Sequence, residues 1–419
     1  MSDHATKGAI ELAARKRLPR RQHPKRTRSQ SSRSRKVRPK RKAPGPAGPK
    51  KARAGPMQHF GATIPKGSEP DERALRPGIK VFGCGGMGSN FLERFADTVE
   101  THVELVALNT DAQHLLMVHA PLKLLIGSRT FKGRGSGGQP ELVRQSLRHD
   151  MRTIRHHLKG ADIVFTVCGL GRGTGTGSAP VVARTARKSG ALTLGIGVLP
   201  FRAEGMYSAK AALDGLEALE QEVDCLFILP NDALLKLEPP PTLTDGFGVI
   251  DDFAVHIIQS IARLSTRYDI RPLKAIFSNG RGYVGVGKAG DGEHEKAARE
   301  ALRFPLSGCP KSELKGAVLV VEGPKAMGHE EGRAVAEHAR RIMGPGPRLL
   351  WGVRQALHGH GLTVTALCVR KRAAPPKGGR RSRNGNGSVA KGRAVRYAWS
   401  SADIDGMVKV RHPAGDLWG

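Results

Sequence analysis

The chain has 419 residues and a formal net charge of +32, long enough for two or three domains with a large buried core. No apolar run reaches the roughly 18 residues that span a bilayer, the N-terminus lacks a signal peptide's apolar segment, and Cys84, Cys168, Cys225, Cys309 and Cys368 are widely spaced with no CxxC pair. A disulfide framework, a zinc site and a helical membrane anchor are therefore not expected, and a reducing cytoplasm is the simplest setting.

The excess charge sits at the two ends. Residues 1–68 carry twenty Lys or Arg against two acidic residues, and residues 370–419 carry twelve against three. The first tail interleaves basic residues with Pro, Ser and Gly, as in Arg33-Ser34-Arg35-Lys36-Val37-Arg38-Pro39-Lys40-Arg41-Lys42. Such a segment buries too little apolar surface to offset its chain entropy, so residues 1–68 and 371–419 are expected to be disordered. Dense like-charge blocks act as interaction tails, and residues 1–66 are expected to attract DNA or an anionic membrane. No aromatic residue lies within the basic block to stack on bases. The acid-poor leader also resembles an organellar transit peptide, but Pro-Lys-Arg clusters stand where an amphipathic pattern should be.

From Ile79 the texture changes. Ile79-Lys80-Val81-Phe82 reads as a buried parallel strand, Gly83-Cys84-Gly85-Gly86-Met87-Gly88 follows it, and Ser89 to Ala96 reads as a helix. A second strand from Val103 ends in Asn109-Thr110-Asp111. Gly83-x-Gly85-x-x-Gly88 satisfies the dinucleotide fingerprint, yet that fingerprint wants an acidic residue closing the second strand, and Asn109 stands there. A further glycine cluster, Gly133 to Glu141, precedes another helical stretch.

The strand-like run Ala161 to Val167 then enters Gly169-Leu170-Gly171-Arg172-Gly173-Thr174-Gly175-Thr176-Gly177-Ser178-Ala179-Pro180, followed by a helix-like run from Val181 to Arg187. An ordinary turn needs one or two glycines, not five at alternating positions. Between a strand and a helix, this pattern offers a polyphosphate bare backbone N–H groups, hydroxyl donors and the positive end of a helix dipole. Neither glycine loop carries the Lys-Ser or Lys-Thr of a Walker motif. Another strand, Leu192 to Val198, leads to Leu199-Pro200-Phe201-Arg202-Ala203-Glu204-Gly205, and a later one to Ile228-Leu229-Pro230-Asn231-Asp232. Alternating strands and helices predict a doubly wound, mostly parallel sheet of α/β class with its ligand at the C-terminal strand ends.

This order of loops, with Gly-Thr-Gly-Thr-Gly as its centre, resembles the tubulin/FtsZ superfamily, closest to FtsZ, from about Ile79 to Val369. The resemblance implies a GTP/GDP site, with a Mg2+ ion compatible with the nucleotide. Gly85, Gly86, Met87, Gly88, Ser89 and Asn90 fall where that family holds the α- and β-phosphates, with Asn90 near the guanine. Gly137 and Gly138 fall in its γ-phosphate loop, and Gly171, Arg172, Gly173, Thr174, Gly175, Thr176 and Gly177 in its signature loop. Glu204 matches a ribose contact and Asn231 a further sugar or base contact. Phe247 would stack on the base, and Asp252 would accept from the N1–H and 2-amino groups that adenine lacks as a pair.

The resemblance also implies domain bounds: a GTP-binding domain over 77–250, a long central helix over 251–266, and a smaller α+β domain with a mixed sheet over 267–370. Leu273 to Phe277, Tyr283 to Gly287, Gly316 to Val321 and Leu362 to Leu367 read as its strands, and Glu293 to Leu302 and Glu331 to Ile342 as its helices. In this family a loop of one protomer, roughly Asn-x-Asp-Phe-Ala-Asp-Val, completes hydrolysis on the next. Here that stretch is Arg267-Tyr268-Asp269-Ile270-Arg271-Pro272-Leu273, which keeps Asp269 as the candidate catalytic residue but puts Arg267 for the Asn and Pro272 for the second Asp. The expectation is a head-to-tail homopolymer serving cell division or related membrane remodelling, with slow or absent GTP hydrolysis. A fully active cytoskeletal GTPase using Asp269 and a non-polymerising, GTP-dependent nucleoid- or partner-binding factor are the rival readings. The C-terminal tail ends where family members dock a membrane-tethering protein, though its residues do not match that peptide.

Overall fold

The computed structural model describes residues 77–98, 102–236, 242–265, 270–303, 305–306, 309–310, 312–324, 327–355 and 361–372. Residues 1–76 and 373–419 and Asp269 lie outside the described residues, so both basic tails do except Lys371, which closes the last strand, and Arg372, whose N–H donates to the Asn279 carbonyl at 3.2 Å. Among the described residues no helix is long and apolar enough to cross a membrane.

In chain order the first half runs β1 (Ile79–Cys84), α1 (Gly85–Ala96), β2 (Val103–Asn109), α2 (Ala112–Met117), β3 (Leu122–Leu125), α3 (Ser128–Phe131), α4 (Pro140–Ser146), α5 (Met151–Leu158), β4 (Ile163–Gly169), α6 (Thr174–Lys188), β5 (Leu192–Leu199), α7 (Met206–Glu222) and β6 (Cys225–Pro230). Next come α8 (Leu243–Leu264), α9 (Arg271–Phe277), β7 (Gly280–Ala289), α10 (His294–Arg303), β8 (Leu314–Gly323), α11 (His329–Met343), β9 (Arg348–Gln355) and β10 (Leu362–Lys371). The strands form one sheet in the order β3-β2-β1-β4-β5-β6-β7-β10-β8-β9. The run from β3 to β7 is parallel, while β10 is antiparallel to both of its neighbours and β8 is parallel to β9. Three residue pairs, Cys225 with Gly280 through Phe227 with Gly282, join the parallel half to the mixed half.

The strands β1, β4, β5 and β6 are near-continuous apolar runs because both faces are covered. Alternate side chains divide between two cores. Ile79 and Val81 pack with Phe91, Leu92 and Phe95 of α1 and with Ile257, Ile258 and Ile261 of α8. Phe82 and Cys84 pack on the other face with Val143, Ile154, Ala179, Val182 and Leu216 from α4 to α7. A third core joins α10 and α11 to β8 and β10. The core around Ile79 and Phe91 also includes Val284, Val318 and Leu367 of the mixed half.

Three local expectations change. Leu273 to Phe277 is not a strand but lies in α9, because Leu273, Ile276 and Phe277 bury one face at helical spacing and Pro272 sits in the first turn, where its missing N–H has no partner to lose. The central helix begins at Leu243 rather than at 251. Thr242 caps it by accepting from the Asp245 N–H at 3.2 Å, and Gly246 and Gly248 are carried inside the helix because Val249, Ile250, Ala254 and Ile257 bury its apolar stripe. The strand β9 has no counterpart in the sequence reading. The helical assignment of α9 predicts that Ile276→Ala lowers unfolding stability by about 2–5 kcal/mol, while Ala275→Ser, on the exposed face, changes it by less than about 0.5 kcal/mol. Chemical denaturation of the nucleotide-free protein measures both, and equal sensitivity would contradict the helix.

Candidate functional site

The strand order reverses its direction of growth between β1 and β4, which pair in parallel with Cys84 opposite Cys168. This is the switch point at which open α/β sheets take ligands. Both glycine loops emerge there, one after each strand. The helix α1 starts at Gly85 and α6 at Thr174, so half of each glycine-rich stretch is already the first turn of a helix. Neither helix has a side-chain cap, which leaves their first N–H groups without partners.

The two helix starts approach backbone to backbone. A Cβ on Gly85, whose φ is +75°, would stand 2.7 Å from the Gly175 amide nitrogen. The loop holding Gly137 and Gly138, both exposed, packs against the same place: a Cβ on Gly173 would stand 2.1 Å from Ser136 Oγ. Three hydroxyls meet at the start of α6, with Thr110 Oγ1 2.7 Å from Thr174 Oγ1 and Ser136 Oγ 3.2 Å from it. Thr176 and Gly177 shape the loop rather than line it. The Thr176 hydroxyl accepts from the Gly171 N–H at 3.1 Å, and the Gly177 N–H donates to the Gly173 carbonyl at 2.9 Å.

Arg172 projects from the loop and reaches Glu204 at 3.8 Å. Its side chain is 86% exposed, so the pair contributes roughly 0–1 kcal/mol and holds the guanidinium only loosely. Glu204 also accepts from the Phe201 N–H at 3.1 Å. The neighbouring Arg202 binds Asp232 at 2.6 Å, which ties this loop to the one that begins with Asn231. Phe247 on α8 lies with its ring 6.3 Å from that of Phe201. Asn90 is exposed in the second turn of α1. Asp252 lines a cavity of about 250 Å³ between α1 and α8 with Phe91, Arg94, Phe95, Gly248 and Val255. Ser89 Oγ, Ser208 Oγ and Asn231 Oδ1 are buried atoms with no hydrogen-bond partner among the described residues, a donor and acceptor set that suits a polar ligand.

The sequence profile described as "Tubulin/FtsZ family, GTPase domain" matches residues 78–239. The "Cell division protein FtsZ 1" of Pyrococcus horikoshii is 37% identical over 288 residues, covering 67% of this chain and 77% of that relative. The chain belongs to the Tubulin/FtsZ family. A solved structure of an FtsZ from M. jannaschii, described as an empty dimer, superposes with a TM-score of 0.65 at 34% identity and covers 70% of this chain and 88% of that one. CetZ2 from Haloferax volcanii, solved as a GTPgS-bound protofilament, shares the fold at 20% identity, with a TM-score of 0.58 over 70% of this chain and 93% of its own.

The profile match spans the glycine loops, Glu204 and Asn231, while Phe247 and Asp252 lie beyond it. Sequence reasoning did not assign to the site Thr110 and Ser136, which meet Thr174, the buried Ser208, or the ion pair of Arg94 with Asp251, which lines the same cavity as Asp252. The Asn109-Thr110-Asp111 run, noticed only because it fails the dinucleotide pattern, was the available signal.

Asp251 has a side chain 7% exposed. Burial pushes its carboxyl up to about 6, Arg94 pulls the other way, and Asp252 adds to the rise. A folded value above the unfolded one means that the folded chain holds more protons between about pH 4 and 6, so this group's contribution to stability falls as pH rises through that window and is level above it. The melting temperature of Asp251→Asn should therefore gain on that of the wild type between about pH 4.5 and 6.5. A difference that stays constant across that range would contradict the assignment.

Proposed function

We propose that this chain is a GTP-binding, FtsZ-like subunit that assembles head to tail into filaments in the cytoplasm, serving cell division or related membrane remodelling, with slow GTP hydrolysis. The observation that carries the nucleotide reading is the meeting of two uncapped helix starts, α1 and α6, backbone to backbone at the switch point. In this reading the phosphates lie on Gly85, Gly86, Met87 and Gly88 and on Gly171, Arg172, Gly173, Thr174 and Gly175, with Gly137 and Gly138 at the γ end. Glu204 and Asn231 take the ribose side. Phe247 and Asn90 flank the base, and Asp252 accepts its donor pair, which gives preference for guanine over adenine. A Mg2+ ion would arrive with the triphosphate, held by its phosphate oxygens.

Assembly is supported by the relatives described as an FtsZ dimer and a CetZ2 protofilament and by exposed apolar residues beside the cleft. Met206 and Tyr207 open α7 at 86% and 95% exposure, and Leu116 and Met117 close α2. A second copy of the chain would cover such groups, and heterologous contacts that do not close produce open filaments. Slow hydrolysis is supported by Pro272, which occupies the first turn of α9 where the family has a carboxylate. Proline can neither polarise water nor hold a cation, which leaves Asp269 to act alone. Residues 1–66 are read as an attachment to DNA or anionic lipid, and the C-terminal tail as a site for a membrane-tethering protein.

Specific GTP turnover, followed by phosphate release against protein concentration, should stay low and nearly flat for the wild type. Pro272→Asp should raise it by about tenfold or more, within the range a positioned acid–base group contributes, and make it climb with concentration. Rapid wild-type turnover that is lost in Asp269→Ala would replace this reading with that of a fully active GTPase. Filaments that sediment on GTP addition are expected, and a protein that binds GTP yet stays in the supernatant at all concentrations would contradict assembly. Deleting residues 1–66 should remove salt-sensitive binding to DNA or anionic vesicles while GTP affinity changes less than about threefold, since counterion release is carried by the tail's charges.

A further inference from the structure

His114 stands at the rim of the cleft and belongs to none of the loops assigned above. Its backbone N–H is fixed by the Asp111 carboxylate, which accepts it at 3.1 Å and starts α2. Its ring Nδ1 lies 3.3 Å from Asn109 Nδ2. Asn109 is 3% exposed, and its Oδ1 is already occupied by the N–H groups of Thr110 at 2.8 Å and Asp111 at 3.3 Å. That occupancy fixes the orientation of the amide: the oxygen faces the backbone donors and the NH2 group faces the histidine. An amide NH2 only donates, so His114 Nδ1 must accept, and the neutral ring carries its proton on Nε2.

Nε2 is turned toward the start of α1. It lies 3.6 Å from the point where a Cβ on Gly86 would stand, with Cε1 at 4.0 Å. The residue before, Gly85, is the one packed against Gly175, and Thr110, next to Asn109, is bonded to the first residue of α6. A side-chain N–H of fixed tautomer therefore lies beside the first turn of α1, one residue from the contact of Gly85 with Gly175. We propose that His114 is a phosphate-binding residue of this site, donating from Nε2–H to the α- or β-phosphate of a bound guanine nucleotide, with Asn109 as the positioning residue that sets its tautomer. The proposal rests on the reading of the cleft as a nucleotide site and assigns to it a side-chain donor that the glycine loops alone do not supply. It also gives Asn109 a purpose: the amide supplies the donor to Nδ1 that a carboxylate at this position would lack.

The test uses the full-length protein and fluorescent GDP, with guanosine as a competitor that has no phosphate. His114→Ala should weaken GDP and GTP binding by about tenfold or more, the change expected of one hydrogen bond to a charged group, and leave the guanosine competition constant unchanged. His114→Gln, whose amide can offer a donor near the Nε2 position, should stay within about threefold of the wild type. In long-range 1H–15N spectra of the wild-type protein, the His114 ring should show the Nε2–H tautomer, and its Nε2 resonance should move on adding GDP but not guanosine. If the wild type binds GDP while His114→Ala binds it equally, or if the ring shows the Nδ1–H tautomer, the role of His114 is overturned and the nucleotide site stands. If the wild type binds neither GDP nor GTP, the nucleotide reading falls and this proposal falls with it. The spectra keep the question decidable even if His114→Ala does not fold.

Discussion

Two helices that begin side by side with no side-chain cap impose the main constraint on this molecule. Each helix start presents N–H groups that no intrahelical carbonyl can accept, and each carries the positive end of a dipole worth about 0.3–1 kcal/mol to a nearby anion at an exposed site. Parallel pairing of β1 with β4 brings α1 and α6 to the same spot, and only glycine at positions 85 and 175 lets their backbones close to this distance. The folded chain therefore concentrates donors and positive potential at one point without a lysine. The remaining features of the cleft are arranged around that point. Thr110 and Ser136 converge on Thr174, Arg172 is held loosely by Glu204, and the Phe201 and Phe247 rings stand at the far side.

The helix α8 connects this cleft to the second half of the sheet. At about 1.5 Å per residue, its 22 residues span roughly 33 Å. Phe247 and Asp252 lie in its N-terminal half, where Asp251 meets Arg94 of α1, and Gln259 donates to the Thr98 carbonyl at 3.0 Å. At its other end Arg263 binds Glu322 of β8 at 2.6 Å. One continuous helix thus joins Phe247 and Asp252 to the mixed part of the sheet. Next in sequence comes α9, opened by Arg271 and Pro272 where the family's hydrolytic loop has its second carboxylate. The slow hydrolysis proposed above rests on this segment, where Pro272 takes the first turn of α9, while the cleft itself keeps its glycine loops.

Much of the fold and the outline of the site were legible in the sequence, for identifiable reasons. Buried parallel strands write themselves as apolar runs, so β1, β4, β5 and β6 were visible, and glycine patterns that only a phosphate-binding turn requires marked both loops. Short segments misled. Leu273 to Phe277 has enough apolar residues for a strand, and its 3-4 spacing was masked by its brevity, although Pro272 one residue before was a helix-start signal. Glycines 246 and 248 concealed the first two turns of α8, which tertiary burial of Val249 and Ile250 maintains against low intrinsic propensity. The hydroxyl cluster depends on residues far apart in sequence meeting at the switch point, Thr110 with Thr174 and Ser136 with Thr174, whereas the Asn109–His114 pair is local, five residues apart, and is set by the turn that opens α2.

The central claim is that the paired helix starts, with Phe247 and Asp252 beside them, form a site for one guanine nucleotide. Calorimetric titration of the full-length protein with GTP and with ATP tests it most directly. The account predicts one GTP bound per chain, with ATP weaker by about a hundredfold or more because the carboxylate that accepts a donor pair from guanine is left unpaired by adenine. Equal affinity for the two nucleotides, or heat of binding for neither, would contradict it.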